Sequence, residues 1–237
     1  MFRTLLVGLF LIVFFLVSLP CYAVLFLTRR FAPKKTQEIS QNIVCGALSL
    51  ILKLCGADVT VTGLEQIPKN TPVLFIGNHT GYFDIVSTYP LLPAGVGFVA
   101  KQEIDRFLLL RLWMRLLHGL TFDRSDPRSG MRMILAAIDE VKNGYSMFIY
   151  PEGTRVRTGE LGEFKAGSFK VATRTGCPIV PVAISGTADI FENHIPVIKP
   201  SHVFIRFGKP VLLSELTADE KKHIGPLVKE RISDMLS

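Results

Sequence analysis

Between Leu5 and Leu27 the chain carries no charged residue, and the middle of this run reads Leu11-Ile12-Val13-Phe14-Phe15-Leu16-Val17. This run constrains the fold more than any other feature. At about 1.5 Å per residue, a helix of that length reaches roughly 34 Å, enough to cross a bilayer. A cleaved signal peptide is the competing reading, with a plausible cut near Cys21-Tyr22-Ala23. Signal cores are shorter, about 7–15 apolar residues, and Pro20 before Cys21 suits a lipoprotein site poorly. The stretch therefore reads as a retained membrane helix, kinked at Pro20.

Arg29, Arg30, Lys34 and Lys35 come directly after it. Basic residues beside a membrane segment favour the cytoplasmic side, so the rest of the chain is expected at the cytoplasmic face of the membrane. Residues 1–56 hold six basic residues and one acidic residue, Glu38, a balance suited to an anionic lipid surface. A second apolar stretch, Ile39 to Gly56, is interrupted by Gln41, Asn42 and Lys53. It can lie in the interface, cross the membrane or pack on the globular domain, and Pro33 marks the turn between the two stretches. Residues 1–56 thus read as membrane-associated helices ahead of a domain spanning 57–237, long enough for one substantial core.

The formal net charge of +7 raises nucleic acid as a partner. The basic residues are scattered and no recognition motif is visible, so the excess is assigned to lipid and to an anionic substrate. Cys21, Cys45, Cys55 and Cys177 lack metal-ligand spacing, and a disulfide framework is not expected in a cytoplasmic domain. No metal site is expected.

Beyond Gly56, short apolar runs alternate with helical patterns, which predicts α/β layering. Strands are expected at 59–62, 73–76, 96–100, 146–150, 179–184 and 203–207, and helices at 84–92, 103–118, 127–143, 166–175 and from Ala218 onward. Ser125 or Asp126 can cap the helix that Pro127 opens, and Gly144 can end it. Thr217 and Glu220 are spaced as a capping box, and Gly225-Pro226 is expected to interrupt the last helix. The apolar stretch 107–117, with Arg111 and Arg115 inside it, reads as core packing, with a helix lying on lipid as the alternative. Cys177-Pro178-Ile179-Val180-Pro181-Val182 reads as an edge strand, because two prolines flank its apolar pair.

Directly after the run Val73–Ile76 stands Gly77-Asn78-His79-Thr80-Gly81-Tyr82-Phe83-Asp84. In a continuous helix, residues five apart point roughly 140° away from each other. His79 and Asp84 therefore meet only if His79 sits in a loop and Asp84 in the first turn of the next helix. The carboxylate then turns back on the imidazole, fixes its tautomer and makes the other ring nitrogen a base. A buried histidine beside a capping aspartate explains the same residues without chemistry. A second block, Tyr150-Pro151-Glu152-Gly153-Thr154-Arg155, comes after a strand, at the end where α/β sheets bind ligands. Gly153 permits close backbone approach, and Arg155 can fork onto phosphate oxygens. A turn with a surface arginine is the plain alternative. Phe122-Asp123-Arg124 stands after another short apolar run.

Taken in order, these blocks resemble the glycerolipid acyltransferase family, the 1-acyl-glycerol-3-phosphate acyltransferases. That family carries Asn-His-x-x-x-x-Asp, an Asp-Arg block, Phe-Pro-Glu-Gly-Thr-Arg and a Val-Pro-rich strand. The likeness covers residues 57 to 210, and Lys101-Gln102-Glu103-Ile104 and Phe164-Lys165-Ala166-Gly167 also look like family segments. The sequence departs in three places. Thr80-Gly81 stand where Gln-Ser is common, Tyr150 replaces phenylalanine, and the block from Gly119 to Arg124 is one residue shorter.

The resemblance implies a mixed central sheet flanked by helices, behind a two-helix membrane segment. It implies acyl transfer from acyl-CoA or acyl carrier protein to the sn-2 hydroxyl of lysophosphatidic acid, with no cofactor beyond that co-substrate. His79 would be the general base and Asp84 the group that orients it. Lys101, Arg124 and Arg155 would hold the acceptor's phosphate, since a dianion needs about two cationic partners. Asn78, Glu152, Gly153 and Thr154 complete the implied substrate-binding set, with Glu152 either receiving an acceptor hydroxyl or ordering Arg155. A backbone N–H of the His79 turn is expected to stabilise the oxyanion. No Gly-x-Ser-x-Gly elbow or Walker loop is present, and no covalent acyl-enzyme is required. Thr80-Gly81 keep a different acceptor open, such as lyso-ornithine lipid, and a lipid-binding protein without activity is the reading from another class. His118, His194, His202 and His223 lack a partner at suggestive spacing and are expected to be structural or surface residues.

Overall fold

The computed structural model describes residues 1–156 and 160–237. Helix α1 (Phe2–Thr28) runs on through Pro20. Helix α2 (Pro33–Cys55) opens on a proline, whose missing N–H falls among the unpaired first-turn donors, and ends on Gly56 at φ 70°. Both are long and apolar enough to cross a membrane. They pack against each other, and α2 also packs onto the domain. Its Ile51, Leu52 and Cys55 join the core cluster of Val73 and Phe75. Gln41 ties the same helix to the Leu92–Gly95 turn. Its Nε2 donates to the Pro93 carbonyl at 2.8 Å, and its Oε1 accepts from Gly95 N–H at 2.9 Å.

Among the described residues a seven-stranded sheet runs in the order β1-β7-β6-β2-β5-β3-β4. The strands are β1 (Asp58–Thr62), β2 (Leu74–Gly77), β3 (Val96–Lys101), β4 (Leu120–Phe122), β5 (Ser146–Ile149), β6 (Ile179–Ser185) and β7 (His202–Phe207). Neighbours are parallel except β6 and β7, so the sheet is mixed. The period-2 alternation of strand side chains sorts the apolar residues between two cores. Val73 and Phe75 face α2 and α3 (Phe83–Thr88), together with Phe148 and Val180. Leu74, Ile76, Met147 and Ile149 face α5 (Pro127–Lys142), α6 (Lys170–Thr175) and α8 (Ile224–Leu236). Strands covered on both faces read as unbroken apolar runs, as β2 and β5 do.

Several expectations change. The Pro-rich segment forms β6, which lies between β7 and β2 and is not an edge strand. Pro181 is tolerated there because its carbonyl still accepts from Gly208 N–H at 2.8 Å. The bond its ring removes falls where the ladder to the next strand shifts register, before the Ile179–Val211 bridge. The helix expected over 103–118 is broken: a 3-10 turn, Gln102–Arg106, precedes α4 (Leu108–Leu116), and β4 comes after it, too short to stand out in the sequence. The C-terminal helix divides earlier than expected. The capping box on Thr217 and Glu220 opens α7 (Ala218–Lys222), His223 ends it, and Gly225-Pro226 sit in the first turn of α8, where proline is harmless.

Helix α4 buries Trp113 and Leu116 against α1, with Trp113 Nε1 donating to Ser18 Oγ at 3.2 Å. Its first residue, Leu108, and the preceding Phe107 stay exposed. The consequence for function lies in strand direction. Strands β4, β3, β5, β2 and β6 all point the same way, so their carboxyl ends share one edge. The blocks singled out in the sequence leave those ends.

Candidate active site

The loop after β2 holds His79, and Asp84 lies in the first turn of α3. His79 Nδ1 and Asp84 Oδ2 are 2.7 Å apart. Asp84 is fully buried and, among the described residues, its carboxylate makes five hydrogen bonds. Oδ2 also accepts from the backbone N–H of Thr80 at 2.6 Å and of Gly81 at 2.9 Å. Oδ1 accepts from the hydroxyls of Thr80 and Thr187. Hydrogen bonds from backbone amides make a carboxylate a fixed acceptor. The imidazole is held equally firmly, stacked on the Tyr150 ring at 4.2 Å between centroids. With Nδ1 engaged, Nε2 is left for the cleft that His79 helps to line.

The block after β5 pins the backbone of His79 at both ends. Glu152 Oε2 accepts the His79 N–H at 2.9 Å, and Val156 N–H donates to the His79 carbonyl at 2.8 Å. Glu152 Oε1 takes the Gly162 N–H at 3.0 Å. Burial pushes the Glu152 carboxyl above the usual glutamate range, against the two N–H donors that lower it. Neither role expected for Glu152 is the one its contacts describe: among the described residues its hydrogen bonds go to the backbone of His79 and Gly162 rather than to Arg155. Asn78 is likewise engaged. Its amide donates to the Ile184 carbonyl and accepts from the Ile184 N–H, both at 2.8 Å, fastening the loop to β6.

The backbone donors of the loop are fully used. His79 N–H goes to Glu152, those of Thr80 and Gly81 to Asp84, and that of Tyr82 to Glu192. The oxyanion donor expected in this turn is therefore not among residues 79–82.

Lys101 ends β3, and Arg124 lies just beyond β4. Both line a cleft of about 400 Å³ with His79, Tyr82, Gly153 and Arg155. Gly153 takes φ 68°, a left-handed conformation that favours glycine in this turn. Thr154 is exposed beside it. Arg155 lays its guanidinium over the Tyr82 ring, with Cζ 3.9 Å from the centroid. Among the described residues Arg124 Nε is buried without a hydrogen-bond partner, and so is Arg155 Nη1, which stands 3.7 Å from Glu192 Oε1. Burial lowers the Arg124 pKa, Glu103 works against that, and the neighbouring Arg155 charge adds to it. Two partly desolvated guanidinium groups at one cleft are chemically suited to an anion.

Ile85 lines this cleft and also an apolar cavity of about 180 Å³. Phe14 and Phe15 of α1, Ala47 and Ile51 of α2, and Trp113 and Met114 of α4 close that cavity. A charged cleft thus adjoins an apolar chamber roofed by the N-terminal helices.

Residues 58–185 match the family described as Acyltransferase. The chain belongs to the acyltransferase family. This acyltransferase is 33% identical over 169 residues to a chloroplastic 1-acyl-sn-glycerol-3-phosphate acyltransferase of Brassica napus, covering 69% of this chain and 48% of that one. It is 30% identical over 205 residues to the 1-acyl-sn-glycerol-3-phosphate acyltransferase of Saccharomyces cerevisiae, covering 84% of this chain and 67% of that one. The chain spans about half the length of its chloroplast relative. The crystal structure of the 1-acyl-sn-glycerophosphate (LPA) acyltransferase PlsC from Thermotoga maritima superposes with a TM-score of 0.76 at 25% identity, over 99% of this chain and 97% of that one. The likeness includes the two N-terminal helices, since nearly the whole chain is covered.

Sequence reasoning missed three members of this acyltransferase's site: Tyr82, Thr187 and Glu192. Thr187 lies just past the carboxyl end of β6, so its position on the binding edge was readable once β6 is interior. Glu192 lies in a 3-10 turn with no motif around it and gave no signal. The remaining histidines sit elsewhere: His118 pairs with Glu140 at 2.8 Å and His202 with Asp58 at 3.0 Å.

Proposed function

We propose that this chain moves a fatty acyl group from acyl-CoA or acyl carrier protein to the sn-2 hydroxyl of 1-acyl-glycerol-3-phosphate, giving phosphatidic acid. Residues 1–56 attach it to the cytoplasmic face of a membrane, and residues 57–237 carry the chemistry. One observation carries the reading: the His79–Asp84 dyad opens onto a cleft where, among the described residues, Arg124 keeps a buried nitrogen without a partner and the Arg155 guanidinium lies near it.

His79 Nε2 takes the proton of the acceptor hydroxyl as that oxygen attacks the thioester carbonyl. Asp84, already saturated with donors, stabilises the imidazolium without rearranging. The tetrahedral intermediate then expels the thiolate, and His79 returns the proton to it. Base catalysis of this kind is worth about 10²–10⁴ in rate. Because the amides of residues 79–82 are occupied, the tetrahedral oxygen draws its donors from outside that turn. The acceptor's phosphate binds Arg124, Arg155 and Lys101, and the apolar chamber beyond Ile85 takes an acyl chain. The Thr80-Gly81 departure, which leaves a phosphate-free acceptor open, finds its use inside the protein. Thr80 bonds Asp84 and Thr187, and Gly81 leaves room for Glu192.

The test uses the purified full chain in mixed micelles with labelled acyl-CoA or acyl carrier protein. Lysophosphatidic acid and phosphate-free monoacyl lipids are offered side by side. Labelled phosphatidic acid is the expected product. Absence of product with either donor, or equal turnover of the phosphate-free lipids, overturns the proposal.

A further inference from the structure

The connection from β6 to β7 reaches across the mouth of the catalytic loop at two points. Thr187 bonds Asp84. Glu192, farther along, enters beneath Tyr82, where its side chain is fully buried. Its Oε1 accepts the Tyr82 N–H and stands 3.7 Å from Arg155 Nη1. Among the described residues its Oε2 is buried without a hydrogen-bond partner, as is Arg155 Nη1. A Cβ on Gly81 would lie 2.7 Å from Glu192 Oε2, so the approach of this carboxylate requires glycine at 81. A buried carboxylate demands a counter-charge, and the guanidinium beside it supplies one. Glu192 does not line the cleft, whereas Arg155 and Tyr82 do.

We infer that Glu192 is the positioning residue for Arg155. It holds the rear nitrogen of the guanidinium from behind, clamps that group flat on Tyr82, and turns the remaining donors toward the acceptor's phosphate. A guanidinium fixed in advance loses less rotamer freedom when it forks onto an anion. Removing the carboxylate frees Arg155 to swing, and the loss appears in acceptor binding rather than in proton transfer. This inference rests on the proposed acyl transfer to lysophosphatidic acid and deepens it.

The experiment measures steady-state kinetics of Glu192→Gln, which keeps the volume and the acceptor for Tyr82 N–H. The KM for lysophosphatidic acid is expected to rise about tenfold, the loss typical of one well-placed bond to a charged group. The maximal rate and the donor KM are expected to stay within about twofold. In an Arg155→Ala background the same substitution is expected to raise acceptor KM no further, because the group it acts through is gone. An unchanged acceptor KM in Glu192→Gln overturns the inference, as does a full additional rise in the double variant. If the glutamine variant does not accumulate, Glu192→Asp withdraws the charge from Arg155. It is expected to raise acceptor KM in smaller measure, and no rise overturns the inference. Wild-type protein that acylates no lysophosphatidic acid overturns the functional reading itself, and the inference with it.

Discussion

Asp84 and Arg124 lie at the same edge of the sheet and serve the same cleft, yet their surroundings differ in kind. Asp84 is surrounded by donors from its own loop and from Thr187, and no capacity is left over. Arg124 has a buried nitrogen with no partner among the described residues and a pKa lowered by burial. The first arrangement is finished before any ligand arrives. The second leaves a buried donor unmet. A base must be aimed in advance, because its geometry sets the barrier, whereas a binding group gains affinity by having its needs met by the ligand.

The sharpest way to break this contrast is within the dyad. His79→Ala and Asp84→Ala should each lower the acyl-transfer rate about 10²–10⁴-fold. Their folding should differ. Truncating Asp84 strands the N–H groups of Thr80 and Gly81 in a buried site and should cost about 3–5 kcal/mol, as when one partner of a buried pair is removed. Truncating His79 loses its stacking on Tyr150 but strands no backbone N–H, so it should cost clearly less. Equal stability of the two variants would mean that the carboxylate is not the keystone of the loop.

The next test falls on the cationic side. Arg124→Ala should raise the acceptor KM about tenfold to a hundredfold, the worth of a hydrogen bond to a charged group, with melting temperature scarcely moved. A large loss of stability with unchanged acceptor KM would reverse the contrast and make Arg124 part of the scaffold.

Much of this was legible in the chain, for reasons that differ by residue. The loop placement of His79 and the helical placement of Asp84 come from the spacing, because only that geometry lets them meet. Central strands β2 and β5 announce themselves as apolar runs, since both faces are covered. What was hidden depends on tertiary partners. Asn78 reads as a polar residue beside His79, and its engagement with Ile184 shows only when β6 lies next to β2. Pro181 argues locally for an edge, and a register shift in the neighbouring ladder overrides it. Glu152 invites a role in the cleft, whereas its oxygens are used on the backbone of the residue it supports.

Glu152 offers the finest test, because its two influences oppose each other and pH separates them. Burial raises its pKa while the His79 and Gly162 N–H groups lower it, and burial prevails. The folded protein thus binds the Glu152 proton more tightly than the unfolded chain does. A carboxyl raised in this way contributes stability that is fully present below its unfolded pKa and is lost as pH rises through its folded pKa. Glu152→Gln cannot titrate, so its stability lacks this decline. It starts lower, because an amide presents only one acceptor to two N–H donors. The stability gap between wild type and Glu152→Gln should therefore narrow as pH climbs from the ordinary glutamate range upward, read by urea unfolding at a series of pH values. Subtracting the variant cancels the other titrating groups, so the slope belongs to this carboxylate. A gap that widens with pH would mean that the two amide donors outweigh burial, and Glu152 would then join Asp84 as a carboxylate held in its charged form.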